Sequence, residues 1–343
     1  MGLTGVFTYH LTETQKKEIL IFLGHKENAT IYQYPGWQEM ITPQKKSCYF
    51  LGYNNNILSS VAVIAEQFRT GSISFGPVSE EADNIIDSIL QIKDFYKRKK
   101  FGLLRVQLES PVCQKTAYIE YKLRNRIFYR QKLDRFNWST SIVDLSPDID
   151  ALFKSFSENH KRSIKKAQKN EIYACPITDI NQIYALSDIY TSMHKQKRVA
   201  KPFPETRKVF QNVFEYFNKH DKGVFIGSFN KEGQLLGGIM LVFQGNTVIY
   251  FYGASVKSCP LPVLHLAFWE AIKLCKERGI RYFDLGGYNH LVAEKDQISQ
   301  INRFKRGFRG EYVFYPRLMY IRLNSILYAL IMLIRPFYLK FRT

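Results

Sequence analysis

The chain has 343 residues, 45% of them hydrophobic, and Lys+Arg 49 against Asp+Glu 30 give a net charge of +19. This length accommodates two domains of ordinary size. The apolar share excludes a disordered chain, and the charge points to polyanionic partners: nucleic acid, phosphorylated metabolites or anionic lipid.

Thr12 and Gln15 have capping-box spacing ahead of the apolar run from Ile19 to Leu23, which predicts a helix. Tyr34-Pro35-Gly36-Trp37 reads as a turn. Residues 47–53 and 57–65 read as strands around the hairpin signal Asn54-Asn55-Asn56, and residues 72–75 as a third strand stopped by Gly76-Pro77. Ile85, Ile86, Ile89, Leu90 and Tyr96 lie on one helical face; Gly102 closes that helix, and residues 103–108 follow as a strand.

After a strand at 139–145, residues 149–169 read as one helix. Leu152, Phe153, Phe156, Ile164 and Ala167 form its apolar face, with Lys161, Arg162, Lys165, Lys166 and Lys169 opposite. That basic face either is solvated, the commoner case, or meets phosphate or tRNA. Helices at 183–197 and 206–218 flank the basic segment 198–202. Strands at 224–229, 235–243 and 248–252 come next, the last ended by Gly253. Strict alternation sets Tyr250 and Tyr252 on one face. Pro262 opens a helix, Gly279 ends it, and residues 281–285 form the next strand.

Gly76 and Gly102 are 26 positions apart, as are Gly253 and Gly279. FGPV at 75–78 occupies the place of YGAS at 252–255. The repeat predicts a duplicated α/β unit with a boundary near 135–139.

In residues 281–310 the second strand–turn junction becomes chemically distinctive. Asp284 stands at a strand end, Gly286-Gly287 permits a sharp turn or close approach, and Phe304 and Phe308 alternate with Arg303, Lys305, Arg306 and Arg309. The combination suits a phosphate-bearing or anionic substrate; a plain turn before a basic surface helix is the alternative reading.

Five scattered cysteines with no CxxC pair, and dispersed histidines, predict neither a disulfide framework nor a metal site, so a reducing cytosol fits. The N-terminus has no basic-then-apolar leader, and no apolar run reaches the ~18 residues of a membrane span.

The strand–helix order resembles GNAT-type N-acyltransferases, present twice. Trp37, FGPV at 75–78, HKRSIKKAQKNEI at 160–172, YFYGAS at 250–255, FDLGG at 283–287 and FKRGFRG at 304–310 resemble the FemABX-like peptidyltransferases, over roughly residues 30–315. The CelD-like acyltransferases of polysaccharide gene clusters share these motifs. The resemblance implies an α/β chain of tandem GNAT-like domains at 1–136 and 137–316, with residues 317–343 packing back on the first domain or lying on a membrane. It implies transfer of an aminoacyl or acyl group to an amine of an anionic cell-envelope precursor: a peptidoglycan peptide, or a nucleotide- or lipid-linked intermediate. The co-substrate is aminoacyl-tRNA or acyl-CoA, with no bound cofactor.

Two departures bear on the donor. No long charged heptad insert supplies the helical arm of the tRNA-using members. Neither FGPVSEEA nor YGASVKSCPLP fits the [Arg/Gln]xxGxGx[Gly/Ala] loop of acetyl-CoA enzymes, and Glu80, Glu81 and Asp83 would repel phosphate at the first helix start.

Under that resemblance Lys305 is the cation for a tetrahedral oxyanion or a substrate phosphate. Asp284 orients or deprotonates the amine, or caps its turn. Of Tyr252 and Tyr250 one donates a hydrogen bond to substrate, Tyr250 being the better core residue, and Arg198 binds a diphosphate or is a surface arginine. Phe304 stacks on a base or fills core, Gly286 and Gly287 let the chain turn sharply or approach the substrate closely, and Arg306 adds anion-binding charge. In the tail, Leu323, Ile326, Leu327, Leu330, Ile331 and Ile334 recur at helical spacing between Arg322 and Arg335, with Lys340 and Arg342 beyond. That segment is either an interfacial helix or first-domain core. An RNA-binding module is supported by charge alone, without an RNP, KH or helix-turn-helix pattern.

Overall fold

Turn residues and apolar alternation divide the chain into two sheets, each belonging to its own unit. The computed structural model describes residues 2–24, 26, 29–108, 114–128, 139–197, 205–290 and 297–340. One unit comprises Met1–Trp138 with Phe314–Arg342, the other Ser139–Val313.

The first unit begins with β1 (Thr4–Thr8) and α1 (Glu13–Gly24). A reciprocal box opens α1: Gln15 N donates to Thr12 Oγ1 at 3.2 Å, and Thr12 N donates to Gln15 Oε1 at 3.0 Å. After α2 (Trp37–Ile41), strands β2 (Lys46–Asn54) and β3 (Ile57–Gln67) form a hairpin. Asn55 and Asn56 supply its two positive φ angles, 48° and 63°. Then come β4 (Thr70–Ser74), α3 (Ala82–Arg98), β5 (Leu103–Gln107) and α4 (Gln114–Leu123). Strands β4 and β5 are parallel because α3 crosses over between them. Its face of Ile85, Ile89, Ile92 and Tyr96 is buried with Phe50, Ile64, Leu104 and Val106 of the sheet.

The second unit runs β6 (Ser139–Asp144), α5 (Ile149–Ser155), α6 (Glu158–Lys169), β7 (Tyr173–Pro176), α7 (Ile180–Lys197) and α8 (Thr206–His220). It continues through β8 (Gly223–Phe229), β9 (Leu235–Gln244), β10 (Thr247–Ser255), α9 (Val263–Glu277), β11 (Tyr282–Tyr288), α10 (Gln297–Arg306) and β12 (Glu311–Phe314). Its sheet order is β12-β6-β11-β10-β9-β8-β7. Here α9 is the crossover, joining parallel β10 and β11. The chain then returns to the first unit through β13 (Met319–Arg322), antiparallel to β5, and α11 (Ser325–Lys340). The succession β4-α3-β5 and its counterpart β10-α9-β11 make this a tandem GNAT-like α/β fold.

Three readings of the sequence need correction. The helix expected over 149–169 is two helices. Phe156 adopts φ −63° and ψ 155°, and Ser157 caps α6 by accepting from His160 N at 3.3 Å. Apolar phase continues across the break, so periodicity alone joins the two pieces. The strand expected to end at Gly253 runs on to Ser255. The two repeat glycines at 102 and 279 also serve different ends. Gly279, with φ 73°, terminates α9 in the left-handed region. In the first unit Lys100 takes that conformation at φ 57°. A Cβ on Gly102 would instead lie 2.6 Å from Ile331 Cδ1 and 2.9 Å from the Leu327 carbonyl carbon, so that glycine admits α11.

Candidate active site

Two bulges face each other at the parallel pair of the second unit. Between Tyr250 and Tyr252, β10 advances two residues while β9 advances one, from Leu241 to Met240. Between Asp284 and Gly287, β11 advances three while β6 advances two, from Ile142 to Thr140. Bulges bend and twist the strand that carries them. Accordingly β10 and β11 pair only over Thr247–Ile249 against Tyr282–Asp284 and not beyond. In the first unit the equivalent strands stay paired from Thr70–Leu103 through Ser74–Gln107. There the buried Gln33 donates from Nε2 to Ser74 O at 2.6 Å and accepts from Val63 N at 2.7 Å. Early parting of the parallel strands is therefore a property of the second unit.

Lys305 sits beside that parting. It lies on the inward face of α10, is only 5% exposed, and its Nζ donates to Gly287 O at 2.6 Å. Burial lowers its pKa from 10.5 to about 8, with the carboxylate of Asp284 acting in the opposite sense. At neutral pH the ammonium is still mostly charged, in surroundings that strengthen any contact with an anion.

Asp284 is buried and committed to the turn. Its Oδ1 accepts from Gly286 N at 2.7 Å and from the hydroxyl of Thr140 on β6. Gly286 has φ 73°, and a Cβ there would lie 2.8 Å from Tyr250 O and 3.7 Å from Lys305 Nζ. The structure thus brings together Lys305, Asp284, Gly286 and Gly287, and adds Tyr250 and Thr140.

Tyr250 and Tyr252 do not share a face. Tyr250 packs on Phe268 of α9, with ring centroids 4.7 Å apart, whereas Tyr252 meets Tyr190 of α7 at 5.6 Å. The extra residue at the bulge inverts the alternation, which an unbroken count of two misses. Burial pushes the Tyr250 hydroxyl well above the usual phenol range, so it remains a neutral group.

Phe304 packs in the core among Phe268, Phe308, His160 and His265, with centroid distances of 5.1, 5.3, 5.4 and 4.9 Å. Burial lowers the pKa of both histidines, that of His265 to about 4, so the pair is neutral beneath the site. Arg306, Arg303 and Arg309 are exposed on α10 or just after it, apart from the inward face that holds Lys305. Arg198 lies outside the described residues.

Thr140 and Asn302 had no signal in the sequence. Asn302, one turn before Lys305, is buried; its Nδ2 donates to Asn289 O at 2.7 Å, and among the described residues its Oδ1 has no hydrogen-bond partner. Among the described residues no group of His, Cys, Asp and Glu could hold a metal ion.

Residues 154–306 match the sequence profile of a family described as Acetyltransferase (GNAT) domain. FemX is similar in structure, with TM-score 0.78 at 14% identity over 95% of this chain and 99% of that one. L-PGS from Bacillus licheniformis is similar at TM-score 0.61 and 12% identity, over 94% of this chain and 95% of that one. So is a tandem GNAT protein from the clavulanic acid biosynthesis pathway, at TM-score 0.56 and 11% identity over 94% and 99%. No match was found among curated protein sequences.

Proposed function

We propose that this chain, which matches a GNAT acetyltransferase domain profile over residues 154–306 and is similar in fold to FemX, transfers an aminoacyl or acyl group to an amine of an anionic cell-envelope precursor. The observation that carries the reading is Lys305, a buried, mostly charged ammonium where β10 and β11 part. A neutral amine attacks the ester or thioester carbonyl and the carbonyl oxygen becomes anionic. Lys305 stabilises that oxyanion, the proton lost by the amine nitrogen passes to the donor's leaving oxygen or sulfur, and collapse expels the donor as its hydroxyl or thiol. Asp284, its Oδ1 already engaged by Gly286 N and Thr140, holds the turn that aims Gly287 O at Lys305 and keeps a negative charge near the ammonium.

Resemblance to the Fem family supports an envelope precursor as acceptor and aminoacyl-tRNA as donor. For acyl-CoA, the alternative donor, the usual pyrophosphate seat is the N-terminus of α9. Two N–H groups there are already used, Val263 N to Leu261 O at 2.9 Å and His265 N to Pro262 O at 3.0 Å. The first unit offers Glu81 and Asp83 at the start of α3, which disfavours phosphate. The test offers labelled aminoacyl-tRNA and acyl-CoA in parallel to nucleotide-linked and lipid-linked envelope precursors. Transfer from tRNA supports the reading, transfer from CoA alone moves the chain to the polysaccharide acyltransferases, and transfer from neither refutes it.

A further inference from the structure

The tail helix is half committed. Leu327 and Ile331 of α11 lie against Gly102, and Asn324 caps the helix by accepting from Leu327 N at 3.0 Å. Along the adjoining stripe Ile326, Leu330, Leu333 and Ile334 are exposed, Ile326 by 75% and Leu333 by 67%. Their spacing of four, three and one places them on one stripe of a helix. No described helix is long and apolar enough to cross a membrane.

The corner at which α11 docks is basic. Gly102 N donates to Arg69 O at 2.9 Å, and Gly102 O accepts from Leu323 N at 3.1 Å. Immediately before Gly102 run Lys97, Arg98, Lys99 and Lys100, the first two and the last exposed. Beside Phe101 opens a cavity of about 510 Å³ lined by Tyr9, Lys46, Glu66, Arg69 and Lys99, with Phe68 exposed at its edge. Glu66 is its one carboxylate; Oε1 accepts from Tyr9 at 2.7 Å and Tyr96 at 2.6 Å. Three cations against one anion leave the cavity positive.

We propose that this corner of the first unit docks on an anionic lipid bilayer. The exposed stripe of α11 enters the headgroup–acyl boundary, lysines 97 and 100 and Arg98 lie on the anionic surface, and the cavity between Lys46, Arg69 and Lys99 receives a phosphate headgroup. Aliphatic side chains flanked by lysine and arginine suit an interface that is apolar within and negative at its rim. A soluble polyanion would use the charge and leave the stripe in water. The inference goes beyond the transfer reaction and does not depend on the chemistry at Lys305.

The experiment is sedimentation of the full chain with vesicles of phosphatidylcholine alone or mixed with phosphatidylglycerol, across a salt series. Co-sedimentation with the anionic vesicles only, weakening as salt rises, is expected. The exposed-face variant Ile326→Asn/Leu330→Asn/Leu333→Asn is expected to abolish it. Lys97→Gln/Lys100→Gln is expected to weaken it about fivefold for each charge removed. Circular dichroism and thermal melting check that both variants remain folded. Absence of binding to anionic vesicles at low salt overturns the proposal. So does binding that survives the aliphatic variant, or binding to heparin that equals binding to vesicles and responds to charge alone. Repeating the assay with Lys305→Ala separates it from catalysis: vesicle binding is expected to be unchanged.

Discussion

The Nζ of Lys305 and the carbonyl oxygen of Gly287 are joined by a 2.6 Å hydrogen bond that ties α10 to the bulged end of β11. The bond fixes a cation where the two parallel strands part company. It also satisfies one of the three donors of a buried ammonium, and among the described residues no other hydrogen bond engages it.

Replacing Lys305 separates catalysis from folding. Lys305→Met is expected to lower turnover about 100- to 1,000-fold, the usual cost of losing one oxyanion-stabilising donor. Stability is expected to stay unchanged or rise, because an apolar side chain of similar size avoids the desolvation that lowers this lysine's pKa. Transfer kinetics beside urea denaturation midpoints check both halves; unchanged turnover removes Lys305 from the mechanism.

The same residue sets opposite pH trends for rate and stability. Turnover is expected to fall as pH rises through about 8, where the folded-state ammonium loses its proton. Above its folded pKa the unfolded chain, with this lysine near 10.5, binds more protons than the folded one. By linkage the Lys305 contribution to stability is least favourable below about 8 and improves between there and 10.5. Urea midpoints of wild type and Lys305→Met across that window should converge as pH rises.

Gly286→Ala tests the turn at β11. Gly279 shares its φ of 73° but has open space around it, whereas at Gly286 the new methyl would meet Tyr250 O at 2.8 Å. Gly279→Ala therefore reports the backbone strain, about 1 kcal/mol or somewhat more. Gly286→Ala is expected to cost more than that and to reduce transfer as well, read from paired denaturation and activity measurements.

Gly102→Ala addresses the tail. Its methyl would press on Leu327 and Ile331, so α11 must shift, at a cost of about 1–3 kcal/mol for overpacking. Faster proteolysis within α11, with turnover at saturating soluble substrate retained, is the expected result.

Local chemistry made much of this architecture legible. Thr12 and Gln15 announced the start of α1, Asn55 and Asn56 the β2–β3 hairpin, and the recurring 26-residue spacing the tandem crossover. Such signals act between residues close in sequence, where capping bonds, positive φ and helical period leave a direct imprint. Lys305 and Asp284 stood out for the same reason, a charge beside a glycine turn and a charge between two phenylalanines. The sequence by itself therefore determined the fold class and the stretch that holds the candidate site. Tertiary structure decided the rest. The bulge at Tyr250–Tyr252 sends those tyrosines to opposite faces, because register depends on how β9 pairs with β10. Thr140 reaches Asp284 from 144 residues away, and Gly102 is small because α11 lies on it. Burial of Lys305, with its pKa near 8, exists only once α10 closes over the parted ends of β10 and β11. Desolvation and strand register arise from groups distant in sequence, so no local pattern records them.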